Sequence, residues 1–353
     1  MFSRLAKLAS AAGAAVALAA PAIAGLVSAT PAQAASSNLF ASVTAAGALA
    51  HGNGVTSVTH IGTGQYEVTF STNVQSCAYV ATTINAASQA LQVFTAGGHL
   101  STDGVYVETK NQGGGLTDGP FNLAVDCGAP GWSYAVVGYT ANLVRATAGT
   151  TLTHLGTGRY DLAFPSNVSK CAYLATVGDP GNNLVFNPNG VYTGSGPGSH
   201  TVYIETKNTG GGLSDGIPFH LAVICPTAAN TQIAVVNANG FPARGSALTS
   251  SFSSSTGNYT VATRQDLTNC ATVATRGSVN TAVPFDPATV EITPGPAPNT
   301  TGIQVRTLLG FGGNLASESF HAAMICCDSQ AARPAPRPRT HGRGAALPLR
   351  PQG

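Results

Sequence analysis

Charged side chains are scarce in this sequence: they make up 8% of its 353 residues, with 16 Lys and Arg against 14 Asp and Glu. Two of the basic residues lie among the first 34 positions and five lie after position 330. That leaves nine basic against 14 acidic residues between the two ends, a net charge of about −5. Because phosphate recognition needs clustered Lys and Arg, we expect no nucleic-acid partner.

Catalytic signatures are also lacking. The chain contains neither H-E-x-x-H nor G-x-x-x-x-G-K-[ST], which excludes the usual zinc-protease and phosphate-loop patterns. Its seven cysteines have no C-x-x-C spacing, so a zinc site is not expected. We expect no cofactor and no metal.

The first 34 residues have the features of an export signal. Arg4 and Lys7 precede an Ala-rich apolar stretch, 8–27, and Ala32-Gln33-Ala34 offers a small-x-small cleavage site. Ala22-Ile23-Ala24 is a second such site. A retained membrane anchor is the alternative, but Ala and Gly dominate the stretch and make a poor spanning helix. We expect a secreted or cell-surface protein with no stable membrane insertion after cleavage.

The last residues, 328–353, differ in composition from the rest. From position 331 onward the chain is Pro-rich, has no acidic residue and contains five arginines. Such a segment buries too little apolar surface to offset its ordering entropy, so it is predicted to be a disordered basic tail. It is either a solvated end or a contact for an anionic polymer or membrane surface.

Three segments recur in the same order in three copies, predicted at 38–128, 131–226 and 230–327. The first segment contains a glycine turn followed by Tyr: Gly62–Phe70, Gly156–Phe164 and, more weakly, Ser255–Thr263. The second begins with Cys-Ala: Cys77–Thr82, Cys171–Thr176 and Cys270–Thr275. The third ends in Cys: Phe121–Cys127, Phe219–Cys225 and Phe320–Cys326. A period near 95 residues is the length of a domain.

Each copy is predicted to be all-β. Tyr66–Phe70 alternates apolar and polar residues, the period of a half-buried strand, and Gly62-Thr63-Gly64 is typical of a hairpin turn. About seven strands per copy suffice for an antiparallel β-sandwich of two sheets. Jelly-roll and immunoglobulin-like topologies both fit. We expect three tandem domains on short connectors, with packing around a pseudo-threefold axis as the alternative.

The cysteines predict one disulfide per copy. Two occupy matching places in each copy, so the simplest pairs are Cys77–Cys127, Cys171–Cys225 and Cys270–Cys326. Buried thiols at matching core positions are the alternative. Cys327 is the odd residue: it could replace Cys326 in pairing, link two chains or remain free.

Few residues are candidates for a site. Asp118 and Asp215 sit in matching G-L-[ST]-D-G loops and could contribute to a Ca²⁺ site, although a type I turn explains the pattern with fewer assumptions. Trp132, the only Trp, and Tyr134 could stack on a sugar, or Trp132 could fill an interdomain contact.

Titratable groups do not recur in all three copies. His60 and His154 match each other only, and His220 and His321 match Asn122. An enzyme needs its acid, base or nucleophile in one constellation. We therefore predict no catalytic residues.

The three runs G-T-G-x-Y-x-V-x-F, C-A-Y-V-A-T and F-x-L-x-V-x-C together resemble a module of exported proteins from high-GC Gram-positive bacteria. The resemblance covers Leu39 to Cys327 and is close in the first two copies and loose in the third. This module occurs singly, in tandem or beside collagen-like regions. It implies no catalytic activity and supplies no functional residues.

The leading expectation is a secreted non-catalytic protein of surface structure or adhesion. The expected partner is a cell-wall or extracellular polysaccharide, with self-association a further option. The alternatives are an array of carbohydrate-binding modules and, less favoured, an extracellular hydrolase that uses the first two copies.

Overall fold

The structure, a computed structural model, describes residues 38–84, 90–183, 189–246, 249–252, 256–263, 265–281, 288–294, 301–310 and 314–327. These residues form 24 strands and no helix, so the all-β prediction is confirmed. No described segment has the helical length and apolar character needed to cross a membrane. The predicted signal segment and tail lie outside the described residues.

Each copy contributes eight strands. In the first copy they are β1 (Leu39–Val43), β2 (Leu49–Asn53), β3 (Val55–Gly62), β4 (Gln65–Phe70), β5 (Ala78–Ile84), β6 (Gln92–Gly97), β7 (Gly104–Lys110) and β8 (Phe121–Asp126). In the second they are β9 (Trp132–Val137), β10 (Leu143–Ala146), β11 (Thr151–Gly156), β12 (Arg159–Ala163), β13 (Ala172–Val177), β14 (Gly190–Ser195), β15 (Thr201–Lys207) and β16 (Phe219–Ile224). In the third they are β17 (Thr231–Val236), β18 (Pro242–Gly245), β19 (Thr249–Phe252), β20 (Asn258–Ala262), β21 (Ala271–Arg276), β22 (Ala288–Pro294), β23 (Gly302–Leu309) and β24 (Phe320–Ile325).

Strand order is the same in all copies. The first copy has one sheet ordered β2-β1-β8-β5 and another ordered β3-β4-β7-β6. The second copy has β10-β9-β16-β13 with β11-β12-β15-β14, and the third has β18-β17-β24-β21 with β19-β20-β23-β22. All pairs within a copy are antiparallel.

Alternating apolar residues form the interior of each sandwich. Tyr66, Val68 and Phe70 on β4 are buried and pack with Phe121 and Leu123 on β8. Between β3 and β4 the chain reverses at Gly64, whose φ is +66° and whose Cβ, if added, would lie 2.5 Å from the Thr109 carbonyl. Glycine is required there for both reasons.

One disulfide braces each sandwich. In the first copy it joins the residue before β5 to the residue after β8, and these two strands are paired. The bonds join Cys77 to Cys127, Cys171 to Cys225 and Cys270 to Cys326. These are the three pairs that the recurrence predicts. Cys327 lies outside these disulfides and is partly buried.

The described strands of the three copies pack against one another within one compact unit, rather than lying apart on short connectors. The sheets that contain β5, β13 and β21 face a shared apolar core. Its buried members come from all three copies and include Phe40, Val80, Leu174, Ile224, Ile233 and Val273. The pseudo-threefold alternative describes this arrangement.

Strands β5, β13 and β21 contact one another where the three copies meet. β13 and β21 are edge strands of their sheets, and β5 is the edge of its own copy's four strands, with Thr83 and Ile84 at its end paired to β22 of the third copy. An edge strand exposes unpaired N–H and C=O groups, which must find partners when they are buried. Threonines of the neighbouring copy supply them. Thr176 Oγ1 accepts from Ala81 N–H (2.8 Å) and donates to Ala81 C=O (3.2 Å).

The same threonine contact closes the ring. Thr275 makes the equivalent pair of bonds to Ala175, at 2.8 and 3.0 Å. Thr82 makes them to Ala274, at 2.7 and 2.9 Å. The first copy therefore caps the third, the second caps the first, and the third caps the second.

Backbone pairing follows the same cyclic order. Thr95 bridges to Gly178 and Thr193 to Gly277, each linking one copy to the next. Between the third and first copies the bridge is longer, because β22 pairs in parallel with β5. That pairing merges two four-stranded sheets into one of eight strands.

Candidate functional site

A polar cluster lies beside the β3–β4 turn of the first copy. His60 on β3 donates from Nε2 to Asp118 Oδ1 (2.9 Å), and the same oxygen accepts from Gly64 N–H (2.6 Å) and more weakly from the Tyr66 hydroxyl (3.4 Å). The His60 ring stacks on Tyr66 with centroids 4.9 Å apart. The hydrogen bond from Gly64, followed by that from His60, lowers the pKa of Asp118.

The second copy repeats the cluster. His154 Nε2 lies 2.9 Å from Asp215 Oδ1, which also accepts from Gly158 N–H (2.7 Å) and the Tyr160 hydroxyl (3.2 Å). Both His–Asp pairs are partly exposed, with side-chain exposures of 32% and 41% in the first copy and 39% and 44% in the second. Sequence reasoning noticed each recurring residue but did not place His60 beside Asp118. The available signal was that a histidine and an aspartate both recur between the first two copies and are both missing from the third.

The third copy keeps the turn without the pair. Gly257 has φ +76°, and an added Cβ would lie 2.6 Å from Thr307 O and 2.7 Å from Ala316 N, close to the geometry of Gly64. Tyr259 still donates, to Ala238 C=O (2.9 Å). The His–Asp pair is therefore not needed to build the turn.

Each His–Asp pair has the contact that orients a histidine in acid–base catalysis. A carboxylate on one ring nitrogen fixes the tautomer and leaves the other nitrogen as a base. Ser214, in the run Gly212-Leu-Ser-Asp-Gly216 that matches the letters G-x-S-x-G, donates instead to Asp215 C=O (3.2 Å). The nucleophile elbow needs a strand-to-helix turn, and Ser214 lies in a loop between two strands.

A cation at these aspartates would compete with existing donors. Oδ1 of Asp118 and of Asp215 each accepts a backbone N–H and a histidine, whereas Ca²⁺ wants six to eight oxygen ligands. Among the described residues no group of three or more His, Cys, Asp or Glu side chains is placed to hold a metal. The hydrogen-bonded turn accounts for both loops.

The aromatic candidates do not form a sugar platform. Trp132 is 5% exposed and belongs to the core shared by the copies, so its ring is not available for stacking. This corrects its assignment as a ligand contact and matches the interdomain alternative. Tyr134 is half-buried, and burial, followed by the charge of Asp126, raises its pKa.

The other matched histidines lie between copies. His220 Nδ1 accepts from Tyr79 N–H (3.0 Å) and His321 Nδ1 from Tyr173 N–H (2.9 Å), while Asn122 donates to Thr272 C=O (2.8 Å). Burial lowers the pKa of each histidine to about 3. Both are neutral parts of the edge-strand caps and not acid–base groups.

Arginines complete these caps. Arg145 Nε donates to Cys77 C=O and Arg244 Nε to Cys171 C=O, both at 2.9 Å, and His51 Nε2 contacts Cys270 C=O at the same distance. The three contacts again run from one copy to the next around the ring.

Comparison with protein families, with curated proteins and with solved structures finds no match.

Proposed function

We propose that the chain is an exported, non-catalytic protein that acts in surface structure or adhesion. One observation carries the proposal: the side chains that recur in all three copies are buried in the framework. The tyrosines of the turns lie inside the sandwiches, the cysteines form the braces and the threonines cap the neighbouring copies.

The disulfides support the proposal that the protein acts outside the cell. Three disulfides indicate an oxidising compartment. A sandwich ring in which every copy is braced and capped suits a protein exposed to proteases and shear. The expected partner is a cell-wall or extracellular polysaccharide.

The two alternatives have weaker support. The hydrolase alternative has the partly exposed His60–Asp118 and His154–Asp215 pairs. The Oδ1 atom of each aspartate is engaged by the turn, however, and each histidine ring stacks on a tyrosine. The carbohydrate-module alternative loses Trp132, because that ring is buried.

Binding and turnover can be separated in one experiment. Purified Gram-positive cell walls and soluble wall polysaccharide are incubated with the full chain and with a His60→Ala, His154→Ala variant. Sedimentation measures binding, and chromatography of the supernatant measures released sugars or peptides. We expect saturable binding that is equal for both proteins, and no release.

The contrary result is equally clear. Time-dependent release that the double variant abolishes would replace the proposal with the hydrolase. No retention on walls or polysaccharide by either protein would remove adhesion to these polymers. A variant that ends at Asp328 serves as the control for nonspecific attraction by the five tail arginines.

A further inference from the structure

A cavity lies where the three copies meet, beside the ends of β5, β13 and β21. Its volume is about 90 Å³, whereas a water molecule occupies roughly 30 Å³ in the liquid. All three copies line it, with Thr82 and Gln92 from the first, Val177 and Asn189 from the second, and Thr275 and Thr289 from the third. It is partly open to solvent and has room for a small molecule.

Two polar side chains in this cavity have unmet hydrogen-bonding capacity. Gln92 is 6% exposed, and neither its Nε2 nor its Oε1 has a hydrogen-bond partner among the described residues. The buried Thr289 hydroxyl also has none within the described part of the chain. Burying an amide without a partner costs free energy, so native proteins rarely leave one. Both groups point to a partner in the cavity.

The copies differ from one another at this place. Gln92 lies opposite Lys110, Gly190 opposite Lys207 and Thr289 opposite Leu308, so the three occupy the same position in their sheets. That position holds an amide, no side chain and a hydroxyl. An occupant near the axis therefore meets three different surfaces.

The charge and donor pattern defines the ligand class. Arg276 is the charged side chain that lines the cavity, and Glu318 neutralises it through an ion pair. The Thr82 and Thr275 hydroxyls are already engaged in the caps. The buried polar groups that remain are the Gln92 amide, which both donates and accepts, and the Thr289 hydroxyl.

We propose that this axial cavity binds a small uncharged polyol, whose hydroxyl groups pair with Gln92 and Thr289. A hydroxyl both donates and accepts, which matches an amide and a second hydroxyl without introducing a charge. This activity goes beyond attachment to a surface polymer, because the cavity is too small for a polysaccharide chain.

The test is calorimetric titration of the full chain with glycerol, erythritol and glucose, and with acetate as a charged probe. Gln92→Leu and Thr289→Val remove the polar groups and nearly keep the volume. Gln75→Leu changes an exposed glutamine of the same type and is the matched control. We expect saturable heat with at least one polyol and none with acetate. Affinity should fall by about tenfold or more in each cavity variant and stay unchanged in the control.

Polyols stabilise proteins nonspecifically by exclusion from their surface, so a raised melting temperature common to all variants does not count as binding. Two results would overturn the proposal. One is the absence of saturable heat with every polyol. The other is an affinity that Gln92→Leu and Thr289→Val both leave unchanged, which would place the binding elsewhere. Thermal unfolding of each variant confirms that it is folded.

Discussion

The hydroxyl of Thr82 accepts a hydrogen bond from the N–H of Ala274 and donates one to its C=O, at 2.7 and 2.9 Å, across 192 residues of sequence. One side chain thus completes both backbone groups of a buried edge residue. With Thr176 and Thr275 it forms a closed cycle of caps that holds three sandwiches together.

We expect Thr82→Val to destabilise the whole chain. Valine keeps the shape but leaves Ala274 N–H and C=O buried without partners, at a cost of about 2–4 kcal/mol. The free energy of unfolding in urea measures the effect. Thr59→Val on the exposed face of β3 is the matched control and should change the value by less than about 0.5 kcal/mol. Equal effects of the two changes would show that the cap is not needed.

Asp126 is a second source of testable energetics. It is fully buried, its Oδ2 has no hydrogen-bond partner among the described residues, and burial raises its pKa to about 7. The equivalent residues are Ile224 and Ile325, both in the core shared by the copies. We expect Asp126→Ile to stabilise the chain at pH 8, by at most about 4 kcal/mol.

The pH dependence of this effect has a defined sign. Between the unfolded pKa near 4 and the folded pKa of about 7, the folded state binds more protons, so Asp126 lowers stability progressively as pH rises. The gain from Asp126→Ile should therefore grow from pH 4 to pH 7 and then level off. A gain that is the same at pH 4 and pH 8 would contradict the assigned burial.

His220 and His321 act in the opposite direction. Their folded pKa values are lowered to about 3, so the unfolded state binds more protons between roughly pH 3 and 6.5, and stability falls as pH falls through that window. We expect His220→Asn, which copies the residue at Asn122, to reduce this acid sensitivity. Urea unfolding at pH 4.5 and pH 7.5 gives the slope for this variant and for the unchanged chain.

The braces can be tested one at a time. Removing the Cys171–Cys225 bond, which closes a 54-residue separation, should cost about 4 kcal/mol in the chain-entropy model. Cys171→Ala with Cys225→Ala is compared with Cys327→Ala, which removes a thiol outside the disulfides. A loss of stability in the single variant as large as in the double variant would assign Cys327 a structural role.

The sequence was sufficient for the strands and the disulfides, because alternation and recurrence are local or periodic signals. It did not reveal the ring. Contacts such as that of Thr176 with Ala81 join residues 95 positions apart. Each threonine and each alanine has an equivalent in every copy. The repeat pattern alone therefore does not tell whether a threonine contacts the alanine of its own copy or that of a neighbour. One signal of packing between copies was available in Cys77–Thr82. This segment has few polar residues at alternate places, as is typical of a strand that is buried on both faces.

Chemistry was predicted less well than architecture. Trp132, His220 and His321 look like functional residues because their types are common in sites, yet their burial depends on a neighbouring copy. Conversely, Gln92 carries no motif. Gln92 is a candidate because its buried amide has no hydrogen-bond partner among the described residues and lines a cavity formed by all three copies.

The parallel pairing of β22 with β5 joins the third copy back to the first, so every copy has a neighbour on both sides. Asn38, at the start of the first copy, donates to Ala229 C=O beside the third copy (2.7 Å), so a short linker from Cys327 to Asn38 should be compatible with the fold. New ends could then open at the connector around Pro130. Such a circular permutant keeps every contact between copies while changing the order in which the ribosome delivers them.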